Sequence, residues 1–321
     1  MARVDVSVVL TTYNQSIEDT LVSAASVLLQ KDINQELIIS DDASWDNHFT
    51  LIEDFIRKNF PKARYTLLSH ATNQKTVLNL YDGIRQAQGK YSKELGAGDL
   101  LYDYGTLNSL FDFCETTQAE AGFGREICFS PAATTYTTSH FNAPKNPSLY
   151  LPTNAPKKHA MDIVLAADWI PGPVQFFNTK VYADLLNSLS TQYGVLYCED
   201  FVAVLSLFER PFSFLDLPIA WYKWGDGIST TGSVSSRRRM YDDHSSFYRN
   251  LAKSPLGENP KFLLTQFLFA LRRFAALHTP LASALQAMNA NSYGVGEEGP
   301  ELTPLFHEAR ELTTNYIGKL K

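Results

Sequence analysis

The first 95 residues alternate between short apolar runs and longer amphipathic stretches, and this alternation constrains the fold more than any other feature. Four apolar runs have the length of buried strands, at residues 6–12, 36–42, 65–69 and 90–95. Three stretches between them carry apolar side chains at helical spacing, at residues 19–29, 49–60 and 76–88. Strands that alternate with helices form βαβ units, whose right-handed crossovers cover both faces of a parallel sheet. The sequence therefore predicts an α/β fold with a mostly parallel sheet.

The composition excludes several classes of protein. Hydrophobic residues make up 45% of the 321 residues, which is enough to form a core and excludes a mainly disordered chain. The formal net charge of -6 argues against a nucleic-acid partner, because non-specific binding needs a broad basic surface. No run of about 20 uncharged apolar residues is present, so no membrane-spanning helix is predicted. The three cysteines form no CxxC pair, and free thiols in a reducing compartment predict a cytoplasmic protein.

The rest of the chain divides into an irregular part, two further strands and a helical end. Residues 130–170 are rich in Thr, Ser, Asn and Pro, and they predict an irregular excursion over the sheet edge. The pattern predicts strands at residues 174–178 and 193–197 and a helix at residues 199–209. Beyond residue 237 it predicts three helices, at residues 238–252, 261–277 and 281–288. We therefore expect a first domain at residues 1–235 and a helical region at residues 236–321.

Polar residues stand at the carboxyl ends of three predicted strands, at positions 11–14, 41–42 and 98–99. Ligands of open α/β sheets bind at such strand ends, although a strand end is also polar wherever it meets water. No GxxxxGK[ST] loop is present, and residues 96–101 lack the third glycine of GxGxxG. A Walker ATPase and a Rossmann dehydrogenase therefore lose their main support, and the ligand site needs another explanation.

An ordered set of segments resembles the glycosyltransferases of family 2. The segments are residues 6–14, 37–44, 73–79 and 87–91, the Glu-Asp motif at 197–201 and a glycine-containing loop at 222–231. The resemblance covers residues 4 to 240. The glycine-containing loop resembles that of bacterial surface-polysaccharide and adhesin-modifying members of the family. It implies the GT-A fold, a Rossmann-like sheet flanked by helices, here with a C-terminal helical appendage. It also implies an enzyme that moves a hexose or N-acetylhexosamine from a nucleotide sugar, expected to be UDP-linked, to a glycan or glycoprotein acceptor.

The resemblance assigns a nucleotide-sugar site to the strand ends. Tyr13 would stack on the base, and Asp41 would accept the N3–H of uracil, because a carboxylate only accepts hydrogen bonds. The alternatives are a tyrosine in a turn and an aspartate that caps a helix, and Asp42 and Ser44 are expected to be caps or supports. The complete expected site comprises Thr11, Tyr13, Asp41, Asn73, Gly98, Asp99 and Arg237.

The resemblance also implies a divalent cation, Mn²⁺ or Mg²⁺, on a DxD motif that is reduced in this chain. Alignment puts Gly96, Ala97, Gly98 and Asp99 where Asp-x-Asp-Asp normally stands, so Asp99 is the remaining candidate ligand. Three arginines from Arg237 onward could instead close over the diphosphate from a loop, or could be a solvated helix start.

The Glu-Asp motif supplies the expected catalytic residues. An inverting transfer needs one base to remove the proton of the acceptor hydroxyl, and the resemblance assigns this role to Asp200 with Glu199 orienting. The alternative is an acidic pair at a helix N-terminus, which the helix dipole favours. Residues 169–173 are expected to shape the sugar and acceptor pocket.

Two other functions and two other surfaces stay open at this point. The alternatives to transfer are a catalytically silent glycosyltransferase-like binding subunit and a sugar-nucleotide pyrophosphorylase. An apolar stripe in the C-terminal region is expected to pack on the catalytic domain or a second subunit, with a peripheral contact at the inner face of the membrane as the alternative. The stripe consists of Phe262, Leu263, Phe267, Leu268, Leu271, Phe274 and Leu277.

Overall fold

Buried apolar runs form the strands, and the amphipathic stretches between them form helices that bury one face. The computed structural model describes residues 3–132, 135–151, 168–225, 233–254, 266–267, 269–271, 273–274 and 298–320. Its strands are β1 Val6–Thr12, β2 Gln35–Asp41, β3 Tyr65–Ser69, β4 Tyr91–Gly96, β5 Leu100–Leu101, β6 Ala121–Pro131, β7 Tyr136–Phe141, β8 Gln175–Asn178 and β9 Ser213–Lys223. Its α-helices are α1 Ile17–Leu28, α2 Phe49–Asn59, α3 Thr76–Gln86, α4 Thr106–Thr117, α5 Thr179–Thr191, α6 Val202–Glu209, α7 Val234–Leu251 and α8 Pro304–Gly318. Short 3-10 helices lie at Pro147–Tyr150, Gly172–Val174 and Glu199–Phe201.

The described strands form one mixed sheet in the order β3-β2-β1-β4-β8-β6-β9-β5, with β7 paired to β6. Strands β1 to β4 pair in parallel, whereas β8 runs antiparallel to both β4 and β6. The strand order reverses at β1, because β2 and β3 lie on one side of it and β4 on the other. Such a switch point opens a crevice at the carboxyl ends of the strands. The predicted α/β fold with a mostly parallel sheet is confirmed.

Local chemistry explains where the first elements begin and end. In β1, Val8 and Leu10 are fully buried in one core cluster and Val9 is fully buried in the other, as expected for a strand covered on both faces. Helix α1 begins after Ser16, whose hydroxyl accepts the N–H of Asp19 at 3.0 Å. The strands and helices predicted within the first 95 residues are all present.

The sequence pattern fails where the backbone is held by distant groups. The strand predicted at residues 193–197 is wrong, because the N–H groups of Leu196 and Tyr197 donate to the carboxylate of Asp243 rather than to another strand. The excursion predicted at residues 130–170 contains β7 and the end of β6 in its described part. The pattern also misses β9, which pairs with β6 across about 90 residues of chain.

The C-terminal helices pack into the same cores as the strands. Phe247 of α7 lies in one core cluster with Phe201, and Phe306 of α8 lies in the other with the apolar residues of β1. The predicted domain boundary at residue 235 stays a prediction, but the side chains on its two sides share buried contacts. None of the described helices is long and apolar enough to cross a membrane.

The apolar stripe predicted in the C-terminal region falls only partly on described residues. Phe267, Leu271 and Phe274 are exposed, whereas Phe269 stacks on the ring of His244 at 5.5 Å. The other stripe positions, and the helix predicted at residues 281–288, lie outside the described residues. Contact of this stripe with a second subunit or a membrane therefore stays a prediction.

Candidate active site

The carboxyl ends of β1, β2 and β4 meet at one edge of the sheet. In the register of these strands, Thr12 lies opposite Asp41 and Thr11 lies opposite Gly96. The predicted residues Thr11, Asp41 and Asp99 are thus brought to the same edge by three neighbouring strands and the turn that follows β4.

Asp41 is buried and organises the turn after β2. Its carboxylate accepts hydrogen bonds from Thr12 Oγ1 at 2.9 Å, from Ser44 N at 2.8 Å and from Ser44 Oγ at 2.5 Å. A carboxylate offers about four acceptor positions, so these three contacts fix its orientation without using all of its capacity. These contacts support the turn and do not cap a helix, since the next helix begins after His48. Recognition of uracil by Asp41 stays a prediction.

Asp42 and Asn73 shape the neighbouring loop before α3. The buried Asp42 carboxylate accepts the backbone N–H groups of Gln74 at 2.5 Å and Lys75 at 2.9 Å. The Lys75 ammonium then donates to Asn73 Oδ1 at 2.5 Å. Asp42 is therefore a support, as predicted. Through Lys75 it also fixes the position of Asn73, and contact of Asn73 with the nucleotide sugar stays a prediction.

Two exposed aromatic rings stand above this edge, and we call them the aromatic rim. The rim consists of Tyr13, which is 49% exposed, and Trp45, which is 90% exposed. Asn14 joins their loops, because its N–H donates to Ser44 Oγ at 2.7 Å and its side-chain oxygen accepts the Trp45 N–H at 3.1 Å. The sequence analysis missed Trp45, whose exposure cannot be read from the chain.

The turn at residues 96–99 follows β4 and is built around glycine. Gly98 has φ of +103°, a conformation that L side chains rarely adopt. Ser23 Oγ accepts the Gly98 N–H at 2.9 Å and donates to the Asp99 carbonyl at 2.6 Å. Asp99 Oδ1 accepts the backbone N–H of Lys223 at 2.8 Å, and burial raises the pKa of Asp99 to about 7.

Lys223 crosses this turn from the end of β9. Its ammonium donates to both carboxylate oxygens of Asp19, at 2.9 and 3.0 Å, and both side chains are mostly buried. A Cβ added to Gly98 would lie 3.0 Å from Lys223 Cδ and 3.7 Å from the Asp19 carboxylate. The ion pair therefore occupies the space into which a side chain at position 98 would project.

The residues of this turn do not fit a protein-held divalent cation. Asp99 offers one carboxylate with Oδ1 already engaged, and Gly96 and Gly98 offer no side-chain ligand. The Asp19 carboxylate beside the turn is already paired with the Lys223 ammonium through both of its oxygens. Among the residues that the structure describes, no group of three His, Cys, Asp or Glu side chains is arranged to hold a metal ion. Asp99 as a metal ligand stays a prediction.

Glu199 and Asp200 lie together on the 3-10 turn that precedes α6. The Asp200 carbonyl accepts Gln175 Nε2 at 3.2 Å, which ties the turn to the start of β8. Because β8 is antiparallel to β4, this start lies at the same sheet edge as the carboxyl end of β4. Burial raises the pKa of Asp200 well above its usual range, and the charges of Glu199 and Asp243 raise it further.

Glu94 of β4 is a functional candidate that the sequence analysis missed. Its carboxyl group is hydrogen bonded to that of Glu199, and both lie against Gly172, where an added Cβ would be 2.0 Å from Glu94 Oε1 and 2.8 Å from Glu199 Oε1. Burial raises the pKa of Glu94 to about 7 and raises the pKa of Glu199 well above its usual range. Two carboxyl groups in such contact share a proton. The sequence signal that could have identified Glu94 is its position as a glutamate inside a predicted buried strand.

A second set of buried charges lies beneath the edge. Lys93 is fully buried, and its ammonium donates to the carbonyls of Glu94 at 2.6 Å and Pro173 at 2.9 Å. Burial lowers the pKa of Lys93 to about 8 and raises the pKa of Glu126 well above its usual range. Glu126 Oε2 has no hydrogen-bond partner among the described residues. Lys93 thus partly balances the carboxyl groups of the site.

Asp243 of α7 fixes the loop that leads to Glu199 and Asp200. Its buried carboxylate accepts the N–H groups of three successive residues, Leu196, Tyr197 and Cys198, at 2.5 to 3.1 Å. Three charge-assisted hydrogen bonds to consecutive amides hold the backbone in one conformation. The sequence analysis missed this contact, because it joins positions separated by 45 to 47 residues.

Arg237 lies in the first turn of α7 rather than on a loop. The helix begins after Ser233, whose side chain accepts the N–H of Ser236 at 3.0 Å, and Arg237 N donates to the Ser233 carbonyl. Arg239 lies 5.7 Å from the ring centroid of Tyr197. Of the two alternatives for the arginines, the helix start is therefore the one observed, and binding of the diphosphate by Arg237 stays a prediction. Trp221, which precedes the glycine-containing loop, is buried in the core.

Comparisons with known proteins agree with this geometry. Residues 7–163 match the family described as Glycosyl transferase family 2. No curated protein matches the chain at a significant level. The chain is similar in fold to TarS 1–349 of S. aureus in complex with UDP, with 16% identity, a TM-score of 0.56, and coverage of 97% of this chain and 88% of that one. A second crystal structure of TarS 1–349 gives 17% identity and a TM-score of 0.55 over the same shares.

A mannosyltransferase has the same fold at a greater distance. PcManGT from Pyrobaculum calidifontis, solved in complex with GDP-Man and Mn²⁺, is 15% identical with a TM-score of 0.50, covering 99% of this chain and 86% of that one. At these identities the solved structures show only a shared fold. The family match is the comparison that indicates the activity. The chain is a glycosyltransferase that takes its sugar from a nucleotide sugar. Its residues 7–163 belong to glycosyl transferase family 2, and the chain has the GT-A fold.

Proposed function

We propose that this enzyme transfers a hexose or N-acetylhexosamine from a UDP-sugar to a hydroxyl of a glycan or glycoprotein, with inversion at the anomeric carbon. The observation that carries the proposal is the position of Asp200. It lies beside Glu199 on a turn held by Gln175 and Asp243, at the sheet edge that also carries Asp41.

The proposed reaction is a single displacement. Asp200 accepts the proton of the acceptor hydroxyl while that oxygen attacks the anomeric carbon from the face opposite the diphosphate. The bond from the anomeric carbon to the diphosphate oxygen breaks, and its electron pair leaves with UDP. The raised pKa of Asp200 supports this role, because a carboxylate in a desolvated site is a stronger base than one in water. Glu199, which shares a proton with Glu94, orients the acceptor.

Uracil is the proposed base for two reasons. Asp41 keeps acceptor capacity at a position where an N–H of the base could reach it, and Tyr13 offers an exposed ring for stacking. The structurally similar TarS was solved with UDP, which agrees with this choice. PcManGT was solved with Mn²⁺, but the described residues around Asp99 do not fit that ion, so the proposal assigns no step to a cation.

A panel of nucleotide sugars tests the donor and the stereochemistry. UDP-sugars should raise the melting temperature and turn over, because a ligand that binds only the folded state stabilises it. With an α-linked UDP-hexose, the anomeric proton of the product should report a β linkage by NMR. Stabilisation by GDP- or dTDP-sugars alone would contradict the uracil assignment, and an α-linked product would contradict single displacement.

Substitution of Asp200 tests the base directly. Asp200→Asn should lower turnover by about 10² to 10⁴, the usual contribution of a positioned general base, and should leave UDP affinity nearly unchanged. Glu199→Gln should reduce turnover less and act mainly through the acceptor KM. Asp184→Asn, on the exposed side of α5, is the matched control. Near-normal turnover of Asp200→Asn would remove the proposed base.

The two alternatives raised by the sequence predict other results in the same assay. A sugar-nucleotide pyrophosphorylase would consume UDP-sugar and pyrophosphate and would form a sugar phosphate. A silent binding subunit would bind UDP-sugar without turnover. Release of UDP with formation of a new glycosidic bond is the outcome that the present proposal requires.

A further inference from the structure

The turn at residues 96–99 places a lysine where the side chain of residue 98 would extend. A Cβ on Gly98 would approach Lys223 Cδ to 3.0 Å, which is tighter than an ordinary van der Waals contact. The positive φ of Gly98 adds backbone strain for any other residue. A side chain at position 98 would therefore require a strained backbone and a shift of the Lys223 side chain by a few tenths of an ångström.

Lys223 is anchored at both of its ends. Its backbone N–H donates to Asp99 Oδ1 at 2.8 Å, and its ammonium donates to both oxygens of Asp19 at 2.9 and 3.0 Å. Asp19 is in turn fixed in the first turn of α1, where its N–H is capped by Ser16. The ammonium is thus held beside the turn without the loss of side-chain freedom that a mobile lysine would suffer on binding a ligand.

The position of this ammonium suits a diphosphate. The turn follows β4 and lies beside Thr11 of β1, at the edge where the base-binding candidates Tyr13 and Asp41 are also found. Lysine binds phosphate oxygens as a compact point charge. Lys93, the other lysine near Asp99, is fully buried and donates to two backbone carbonyls.

We infer that Lys223, held by Asp19, binds the diphosphate of the nucleotide-sugar donor at this turn and takes the place of a divalent cation. The inference rests on the proposed function, since it needs a nucleoside diphosphate at this edge. When the bond to the anomeric carbon breaks, the electron pair stays on the diphosphate, and the protonated ammonium stabilises that charge without giving up its proton.

A lysine that binds phosphate and an ion pair that only stabilises the fold predict different results for the same two variants. If the pair only stabilised the fold, Asp19→Asn and Lys223→Gln would impair the protein alike. If the lysine binds phosphate, Asp19→Asn should weaken nucleoside diphosphate binding less than Lys223→Gln does, because the ammonium keeps its charge and loses only the partner that holds it. Lys223→Arg, which keeps the positive charge and the backbone hydrogen bond, should retain most of the binding.

The experiment is calorimetric titration in EDTA of UDP, GDP and dTDP, each compared with its own nucleoside. Lys223→Gln should weaken binding of the accepted diphosphate by about tenfold or more, as expected for loss of a charge-assisted hydrogen bond, and should change nucleoside binding by less than about twofold. Added Mn²⁺ should change the wild-type affinity by less than about twofold. Lys180→Gln removes an exposed lysine at the opposite end of the sheet and should behave as wild type.

Three results have distinct meanings. Equal diphosphate affinity of wild type and Lys223→Gln would overturn the inference and leave the proposed function standing. Loss of wild-type diphosphate binding in EDTA, with recovery in Mn²⁺, would likewise overturn it in favour of a metal. Binding of GDP or dTDP instead of UDP would refute the uracil assignment, while the comparison of diphosphate with nucleoside would still decide the role of Lys223.

Discussion

Glu94 links two parts of the site through one carboxyl group. It belongs to β4, whose end continues into the turn that carries Asp99, and it is hydrogen bonded to Glu199 beside the proposed base. Sharing a proton with Glu94 keeps Glu199 from adding a full negative charge next to Asp200. Burial still favours the neutral form of Asp200 by raising its pKa, and the carboxyl pair limits how much Glu199 adds to that effect.

The raised pKa of Glu94 predicts a pH-dependent stability. The folded state holds the proton of Glu94 up to about pH 7, whereas the unfolded state loses it near 4.5, so the folded state binds more protons between these values. The free energy of unfolding should then fall as pH rises through this window. Glu94→Gln should flatten the fall, by about 1.4 kcal/mol for each pKa unit that the shift contributed. Urea unfolding across this range measures it.

The exposed Glu209→Gln variant is the control for this titration, and it should keep the wild-type pH profile. A wild type whose stability rises steadily between pH 4.5 and 7, with Glu94→Gln unchanged from it, would contradict the shared proton.

Single residues were predictable where a local pattern marks them and not where a distant contact does. Asp41 and Asp200 stand out because one ends an apolar run and the other belongs to a Glu-Asp pair. Lys223 and Asp19 give no such signal, since 204 residues separate the two partners. Trp45 could not be selected either, because exposure depends on the fold around it.

At the scale of elements, α7 reaches into the site through one carboxylate. Asp243 accepts three consecutive N–H groups and thereby holds the turn on which Asp200 sits. The same contact explains why residues 193–197 do not form the predicted strand. Apolar periodicity describes the side chains of a segment, but here a side chain from another element decides where its backbone hydrogen bonds go.

Asp243→Ala should lower turnover by about tenfold or more, because loss of the charge-assisted hydrogen bonds frees the loop that carries the base. UDP affinity should change by less than about twofold. The turnover of Asp243→Asn, which keeps one acceptor oxygen, should lie between that of Asp243→Ala and that of wild type. Steady-state kinetics with UDP titration separates the two effects. Asp242→Ala, the exposed neighbour paired with Arg273, is the matched control. If UDP binding were lost to the same extent as turnover, Asp243 would instead be needed for the stability of the whole fold.

At the scale of the whole molecule, α8 packs against α1 and against residues of β6, β7 and β9. Phe306 is buried, and its ring meets those of Phe129, Tyr136 and Trp221 at centroid distances of 5.0 to 5.8 Å. Trp221 Nε1 also donates to Thr303 Oγ1 just before the helix, at 3.1 Å. The sequence predicted a helical end to the chain but not this helix, whose apolar side chains find their partners only in the folded sheet.

Phe306→Ala should lower the free energy of unfolding by about 3 to 5 kcal/mol, the usual cost of removing a buried aromatic ring. Urea unfolding followed by fluorescence and circular dichroism should show one common transition for wild type. Glu311→Ala, on the exposed face of the same helix, should stay within about 0.5 kcal/mol of wild type. A separate early transition that Phe306→Ala alone affects would show that α8 unfolds as an independent appendage.

The packing of α8 also limits how this enzyme can be recombined with its relatives. The family match ends at residue 163, which marks one point at which chain segments could be exchanged. However, Phe306 and Tyr316 from the far end of the chain lie in the same core as Val8 and Leu10. In a chimera that replaces the C-terminal half, this core would therefore combine side chains from two proteins that did not evolve to pack together. Productive swaps should carry α1, β1 and α8 together and change only the loops above the sheet.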